Sequence, residues 1–272
     1  MPFVEEKEQM LIDAHVHVDR FEMEGEGVLA SALDEINSRK IFTISNSMDL
    51  PSYERNRQIA EECEYILPIF GIHPWNASQY VDRLGDLDDA IDSSSMIGEI
   101  GLDFYFVDDE SEYPNQRKVL EYFFAVSKSQ NKIVNLHTKG AEKSILDLLE
   151  KFDLPRVIIH WYSGPLDVFN KMADMGFYFT IGIEALYSEH IQAIARTVPS
   201  DQLLTETDNP GGPKGFIGGL GTPRLIEDVV DKVAEVRNAK REEIISLVQS
   251  NLLHLISDDP WFMDIDLAIL ES

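Results

Sequence analysis

The sequence predicts an α/β fold, a (β/α)8 TIM-type barrel with a metal site at the C-terminal ends of its strands. Three observations carry that expectation. Eight short apolar runs alternate with segments of helical periodicity. Several runs are apolar at successive positions, as parallel strands covered on both faces must be. Five runs end at or near residues of metal-ligand type, and strand ends are where such a barrel builds its active site.

The expected strands are Met10 to His17, Ile41 to Ser45, Tyr65 to Gly71, Met96 to Phe104, Ile133 to His137, Val157 to His160, Phe177 to Ile183 and Leu203 to Thr207. Among the helices, Pro114 to Gln130 carries Val119, Phe123 and Val126 on one face. A second runs from Thr222 to Val236, with Thr222 as its cap and Pro223 at its first position. A third, Glu242 to Ile256, places Ile245, Val248, Leu252 and Leu255 on one stripe. These stripes read as core packing. The glycine-rich stretch Gly211 to Gly221 follows the last strand. It is either a lip over the site or a long connection with glycines at its turns.

The 272 residues fit one domain, since such barrels take about 250. The barrel is expected over about residues 10–256. An acidic tail, 257–272, containing Pro260, Trp261 and Phe262, would pack on its outside. The net charge of −26 opposes non-specific attraction to nucleic acid or anionic membranes. It does not exclude a nuclease, because bound divalent ions and a few local cations make a positive mouth on an acidic body. No run approaches the roughly 20 apolar residues of a membrane span. The acidic first ten residues lack the apolar core of a signal peptide. The single cysteine, Cys63, reads as an unreactive helical thiol and fits a reducing compartment. Together these features predict a cytoplasmic enzyme with no membrane association and no obligate protein partner.

The candidate ligands are His15, His17, Glu99, His137, His160 and Asp208. Residues i and i+2 of a strand share a face, so His15 and His17 converge. By the same parity Asp13, Asn135 and Glu206 lie one layer beneath, as groups that fix imidazole tautomers and carboxylate orientation. Imidazoles with carboxylates suit zinc, manganese or iron better than calcium. Four histidines and two carboxylates exceed one tetrahedral zinc and match two metals sharing a bridge. Glu99, from a middle strand, is the expected bridge. Asp208 is expected to be both ligand and general base, or else the cap of a turn before Asn209-Pro210. The implied cofactors are one or two divalent ions per chain: zinc, manganese or magnesium.

The motifs resemble the TatD family of metal-dependent hydrolases, which includes DNases. They are Ile12-Asp13-Ala14-His15-Val16-His17, Gly71-Ile72-His73-Pro74-Trp75, Gly98-Glu99-Ile100-Gly101-Leu102-Asp103-Phe104, His160-Trp161-Tyr162-Ser163-Gly164 and Glu206-Thr207-Asp208-Asn209-Pro210. The resemblance runs on to Asn251-Leu252. It implies a TIM-type barrel in which His15, His17, Glu99 and Asp208 hold one metal, while Glu99, His137 and His160 hold a second. It gives His73 a role in contacting substrate phosphate or orienting solvent, with a structural histidine before Pro74 as the alternative. Trp75, Trp161 and Tyr162 could stack on bases or pack in the core. His190 and His254 match no ligand motif. Two departures stand out. Lys139 replaces the arginine many members carry, and Gly219 to Pro223, with Arg224 beyond, replaces an Arg-Asn-Glu-Pro stretch. Lysine attracts phosphate without offering the bidentate fork of arginine.

The expected reaction is phosphodiester hydrolysis, most directly of DNA. Metal-activated water attacks phosphorus, Asp208 takes its proton, Glu99 bridges the metals, and His73, Lys139 and Arg224 hold phosphate. The alternative keeps the centre but changes the substrate to a small ester, amide or lactone. A non-catalytic metal-binding protein is the third reading, and a pure nucleic-acid-binding module finds no basic stripe to support it.

Overall fold

The computed structural model describes residues 10–257 and 259–262. Eight parallel strands follow one another around a barrel: β1 (Leu11–Val16), β2 (Ile41–Asn46), β3 (Ile66–Ile69), β4 (Ile97–Gly101), β5 (Val134–His137), β6 (Val157–Ile159), β7 (Tyr178–Ile181) and β8 (Leu203–Thr205). Nearly every strand residue is buried. The barrel interior covers one face and the surrounding helices the other, so a strand has no solvent side on which to place polar residues.

The strands form two hydrogen-bonded ladders, β1-β2-β3 and β4 through β8. The ladders meet at two seams. At one, Phe70 bridges Ile97, and Gly98 N–H donates to the Phe70 carbonyl (2.8 Å). At the other, Asp208 N–H donates to the His15 carbonyl (2.9 Å) and His17 N–H to the Asn209 carbonyl (2.8 Å). Thr205 Oγ1 also donates to the Ile12 carbonyl (2.6 Å). These bonds complete the circuit from β8 back to β1.

The strands are shorter than the apolar runs suggest, because the ends of those runs turn outward to carry functional groups. Residues 102–104 leave β4 as a loop, and Ile183–Leu186 form a 3-10 turn after β7. The helix expected from Thr222 begins at Leu225 and ends at Arg237. Leu225 N–H bonds to the Thr222 carbonyl and Ile226 N–H to that of Pro223 (3.0 and 3.2 Å), so Pro223 sits in the turn ahead of the helix rather than at its first position. The other two helices run Tyr113–Gln130 and Arg241–Ile256. Cys63 lies just past helix Leu50–Ala60, not within it. It is buried and its Sγ faces Asn37 Oδ1 (3.3 Å); burial raises its pKa, in keeping with an unreactive thiol.

Of the tail, Asp259 and Pro260–Phe262 pack under the barrel, while residues 258 and 263–272 lie outside the described residues. Phe262 is buried, and Asp259 pairs with Arg156 just before β6. The Lys132 ammonium, ahead of β5, is buried against the Trp261 ring, 3.6 Å from its centroid. Burial lowers its pKa to about 8.

Candidate metal centre

The strand register slips at two places, between Asp13 and Val16 in β1 and between Ile97 and Ile100 in β4. Such irregularities re-aim side chains next to active sites. Here they flank His15 and Glu99, the residues that form the middle of the cluster. Glycine makes the second irregularity possible. A Cβ on Gly98 would lie 2.7 Å from Asn135 Cβ, and one on Gly101, at φ +156°, would lie 2.0 Å from the His137 carbonyl oxygen. The β4 backbone can therefore press against β5 with Glu99 aimed inward.

Glu99 is buried, and its two oxygens face different partners. Oε2 lies 3.4 Å from His15 Nε2 and 3.3 Å from His17 Nε2. Asp208 Oδ1 joins that side, 3.8 and 3.4 Å from the same nitrogens. Oε1 lies 2.8 Å from His137 Nδ1, 3.3 Å from His160 Nε2 and 3.5 Å from His73 Nε2. Five imidazoles and Asp208 thus surround one carboxylate, divided between its two oxygens.

The hydrogen bonds behind these rings set their tautomers. His15 Nδ1 donates to Asn135 Oδ1, His17 Nδ1 to the Asn46 carbonyl and His160 Nδ1 to Glu206 Oε2, each at 3.0 Å. Each Nε2 is left facing the carboxylates, the orientation of metal-bound histidine. His15 Nε2 is buried without a hydrogen-bond partner, which a cation would supply. His73 is different. Its Nδ1 accepts from Trp75 N–H (3.2 Å), so the neutral ring carries its proton on Nε2 and presents a donor. Burial pushes its pKa down to about 4.

Burial works against the Glu99 charge, but the fields of His73, His15 and His160 and the His137 hydrogen bond outweigh it. The carboxyl is held well below its usual range. For His17, burial is outweighed by hydrogen bonds to Asp208 and Glu99, which lift it to about 10. The site is an array of negative oxygens and imidazole nitrogens on largely buried side chains, a donor set that fits one or two divalent cations. Among the described residues, groups with metal-ligand spacing are His15-His17-Glu99, His73-Glu99-His137 and His15-His160-Glu206. In the last, Glu206 already accepts from His160 Nδ1 and from Trp161 N–H, so it supports the ring from behind.

Asp13 does not touch an imidazole. Its carboxylate accepts from Thr207 N–H (2.9 Å) and Thr207 Oγ1 (2.6 Å), holding the segment that carries Asp208. Asp103 is a member the sequence reading left without a role. Its Oδ2 lies 3.1 Å from His137 Nε2 and accepts from Trp75 Nε1 (2.8 Å), and its Oδ1 accepts from two N–H groups of the following turn. Two carboxylates in one motif, Glu99 and Asp103, gave no sequence signal to separate this support from a ligand.

A cavity of about 920 Å³ opens over the cluster. Lys139 lines it and donates to Ser163 Oγ (2.8 Å). Arg224 does not line it. That residue is exposed, and its backbone N–H is taken by Glu35 Oε2 (3.1 Å) across the barrel exterior. Trp75 and Trp161 are in the cavity wall, whereas Tyr162 is buried with its hydroxyl on the Pro165 carbonyl (2.7 Å). The glycine-rich stretch forms part of the rim and contains a short helix, Lys214–Ile217. A Cβ on Gly212 would lie 2.4 Å from Asp208 Oδ2, so this backbone rests directly on the carboxylate.

Residues 12–257 match the family model described as TatD related DNase. The chain belongs to the TatD family. It is 26% identical over 257 residues to the uncharacterized metal-dependent hydrolase YabD of Bacillus subtilis, a match covering 90% of this chain and 98% of the relative. It is 26% identical over 262 residues to the human deoxyribonuclease TATDN3, covering 90% and 94%. Among solved structures, the TatD homologue YjjV of Escherichia coli superposes with a TM-score of 0.78 at 23% identity, covering 90% of this chain and 97% of that one. This member of the TatD family is accordingly a metal-dependent hydrolase on a TIM-type barrel. No described helix is long and apolar enough to cross a membrane.

Proposed function

We propose that this chain hydrolyses phosphodiester bonds, with DNA as the substrate. The observation that carries the reading is the division of ligands across Glu99: His15, His17 and Asp208 on Oε2, His137 and His160 on Oε1. In this reading His15, His17, Glu99 and Asp208 would hold one divalent cation and Glu99, His137 and His160 a second, with zinc, manganese and magnesium as the candidates. Cations held there would supply an activated water and neutralise charge on the phosphoryl and leaving oxygens.

The chain's own groups do the rest. Asp208, kept ionised by the surrounding imidazoles against its burial, accepts the proton of the attacking water as oxygen bonds to phosphorus. The bond from phosphorus to the leaving oxygen breaks, and that oxygen is protonated from solvent, giving a phosphate monoester and an alcohol. His73, with its proton on Nε2, donates to a non-bridging oxygen. Lys139 attracts the phosphate from the rim. The naming of the human relative as a deoxyribonuclease supports DNA as the polymer, and the buried single thiol is in keeping with a reducing, cytoplasmic setting.

The test is end-labelled single-stranded DNA with Mn²⁺ or Mg²⁺, with Asp208→Asn beside the wild type. Metal-dependent shortening that the variant loses supports the reading. A second reading, a small ester, amide or lactone, is favoured by the carboxylates of Glu24, Glu142 and Glu184 in the cavity wall, which repel a polyanion. Turnover of a small ester by a metal-loaded protein that leaves DNA intact selects it instead.

A further inference from the structure

The chain carries 49 acidic side chains against 23 lysines and arginines. An arginine in the cavity wall with no carboxylate on it is therefore unexpected. Arg20, in the 3-10 turn that follows β1, is such a residue. It is half-buried, and its guanidinium donates to the thioether sulfur of Met48, a neutral and weak acceptor. The adjacent Asp19 carboxylate hydrogen-bonds to Ser52 and Asn56 and feels Arg20 only through its field, without an ion pair. Among the described residues no carboxylate pairs with Arg20. Lys214, in the same wall, is by contrast held by Glu24 (2.7 Å).

The position of Arg20 around the mouth gives this free charge a use. It follows β1, and Lys139 follows β5, half a turn of the barrel away. The arcs between them are aromatic. On one side Trp75 and Phe106, after β3 and β4, meet edge to face at 6.1 Å. On the other, Phe216 of the rim lies 5.8 Å from Trp161 and 5.9 Å from Tyr187. The cavity therefore has two cationic ends and two aromatic flanks, with the metal cluster at its floor. A short stretch of single strand fits that plan: phosphates along the cationic axis, bases toward the flanks.

We propose that Arg20 holds the phosphate next to the one being cleaved, so that the site selects substrates carrying two or more phosphates. The inference rests on the phosphodiesterase reading above. The residue type suits the task, because a guanidinium offers a planar two-pronged donor that Lys139 lacks. Giving up the Met48 sulfur costs the guanidinium little, because a thioether is a weak acceptor.

The experiment compares wild type, Arg20→Met and Arg20→Lys, all loaded with Mn²⁺. One arm measures kcat/KM on a dinucleotide with and without a terminal phosphate, placed at either end. The wild type is expected to prefer the phosphorylated substrate through a lower KM. That preference should fall at least 10-fold in Arg20→Met and be partly restored in Arg20→Lys. The second arm needs no turnover. It measures binding of thymidine 3′,5′-bisphosphate against thymidine 5′-monophosphate by calorimetry, and the wild-type gap should close in Arg20→Met. A preference or a binding gap that survives in Arg20→Met, or that the wild type never shows, overturns the assignment of Arg20. A wild type that shows the binding gap but cuts no dinucleotide keeps Arg20 and sinks the phosphodiesterase reading.

Discussion

His15 and His160 stack face to face, their ring centroids 3.7 Å apart and their planes 12° from parallel. They come from strands on different sides of the barrel. Each is tethered through Nδ1, to Asn135 and Glu206 respectively, and each directs Nε2 at a different oxygen of Glu99. The stack leaves neither ring free to rotate, so the two halves of the ligand set share one rigid wall.

Glu206→Gln removes the charge that fixes the His160 ring while keeping its shape. Support groups of this kind are worth about 10–100-fold in metal affinity. Titration of the stripped protein with Zn²⁺ or Mn²⁺ should show such a loss in one binding step with the other preserved. Equal loss from both steps would mean that the two halves do not bind separately.

Asp208→Asn keeps the size of the side chain and removes its capacity to take a proton. Turnover should drop by about 10²–10⁴-fold, with a circular dichroism spectrum like that of the wild type. A folded, metal-loaded variant with near-normal kcat would remove Asp208 from the proton transfer.

Asn251, on helix Arg241–Ile256, donates to the carbonyls of Ser200 and Leu203 at 2.6 and 2.8 Å and so ties that helix to the start of β8. Asn251→Ala leaves the buried Leu203 carbonyl short of a partner, a cost of about 1–3 kcal/mol. Urea unfolding should show that loss at unchanged m-value, while kcat per folded molecule stays level.

Lys132 makes stability depend on pH at the bottom of the barrel. Its pKa is about 8 in the folded chain, against about 10.4 for a free lysine. Between these values the unfolded chain binds more protons, so stability rises with pH across that window and is lowest below pH 8. The contribution is on the order of 1–2 kcal/mol, because the Trp261 ring offsets part of the burial cost. Unfolding at pH 7.5 and 9.5 should show a smaller pH difference in Lys132→Met than in wild type. Equal slopes would show that Lys132 does not titrate in this window.

The strand order and the candidate ligand set were legible in the sequence because each is written in side chains. Apolar runs had to end where histidines and carboxylates begin, and His15, His17, Glu99, His137, His160 and Asp208 do come together. What stayed hidden is carried by backbone. The Asn46 carbonyl that orients His17 belongs to no motif, and the register slips at His15 and Glu99 depend on how neighbouring strands pair. Arg20 was passed over because one arginine among many has no pattern. Arg224 was expected at the rim because it follows the glycine-rich stretch in sequence, yet the turn at Pro223 carries it to the outside wall.

The closing seam joins Asp208 to the carbonyl of His15 and Asn209 to the amide of His17, which gives the order of synthesis a consequence. A ribosome delivers His15 first and Asp208 nearly two hundred residues later. Until β8 has emerged and docked, His15 and His17 have Glu99 but not Asp208 opposite them, and the glycine-rich part of the rim is missing. A chain interrupted just before that point holds five of the six candidate ligands and lacks Asp208. The candidate centre is therefore completed by the last strand to join the barrel, and it comes together only when the barrel closes.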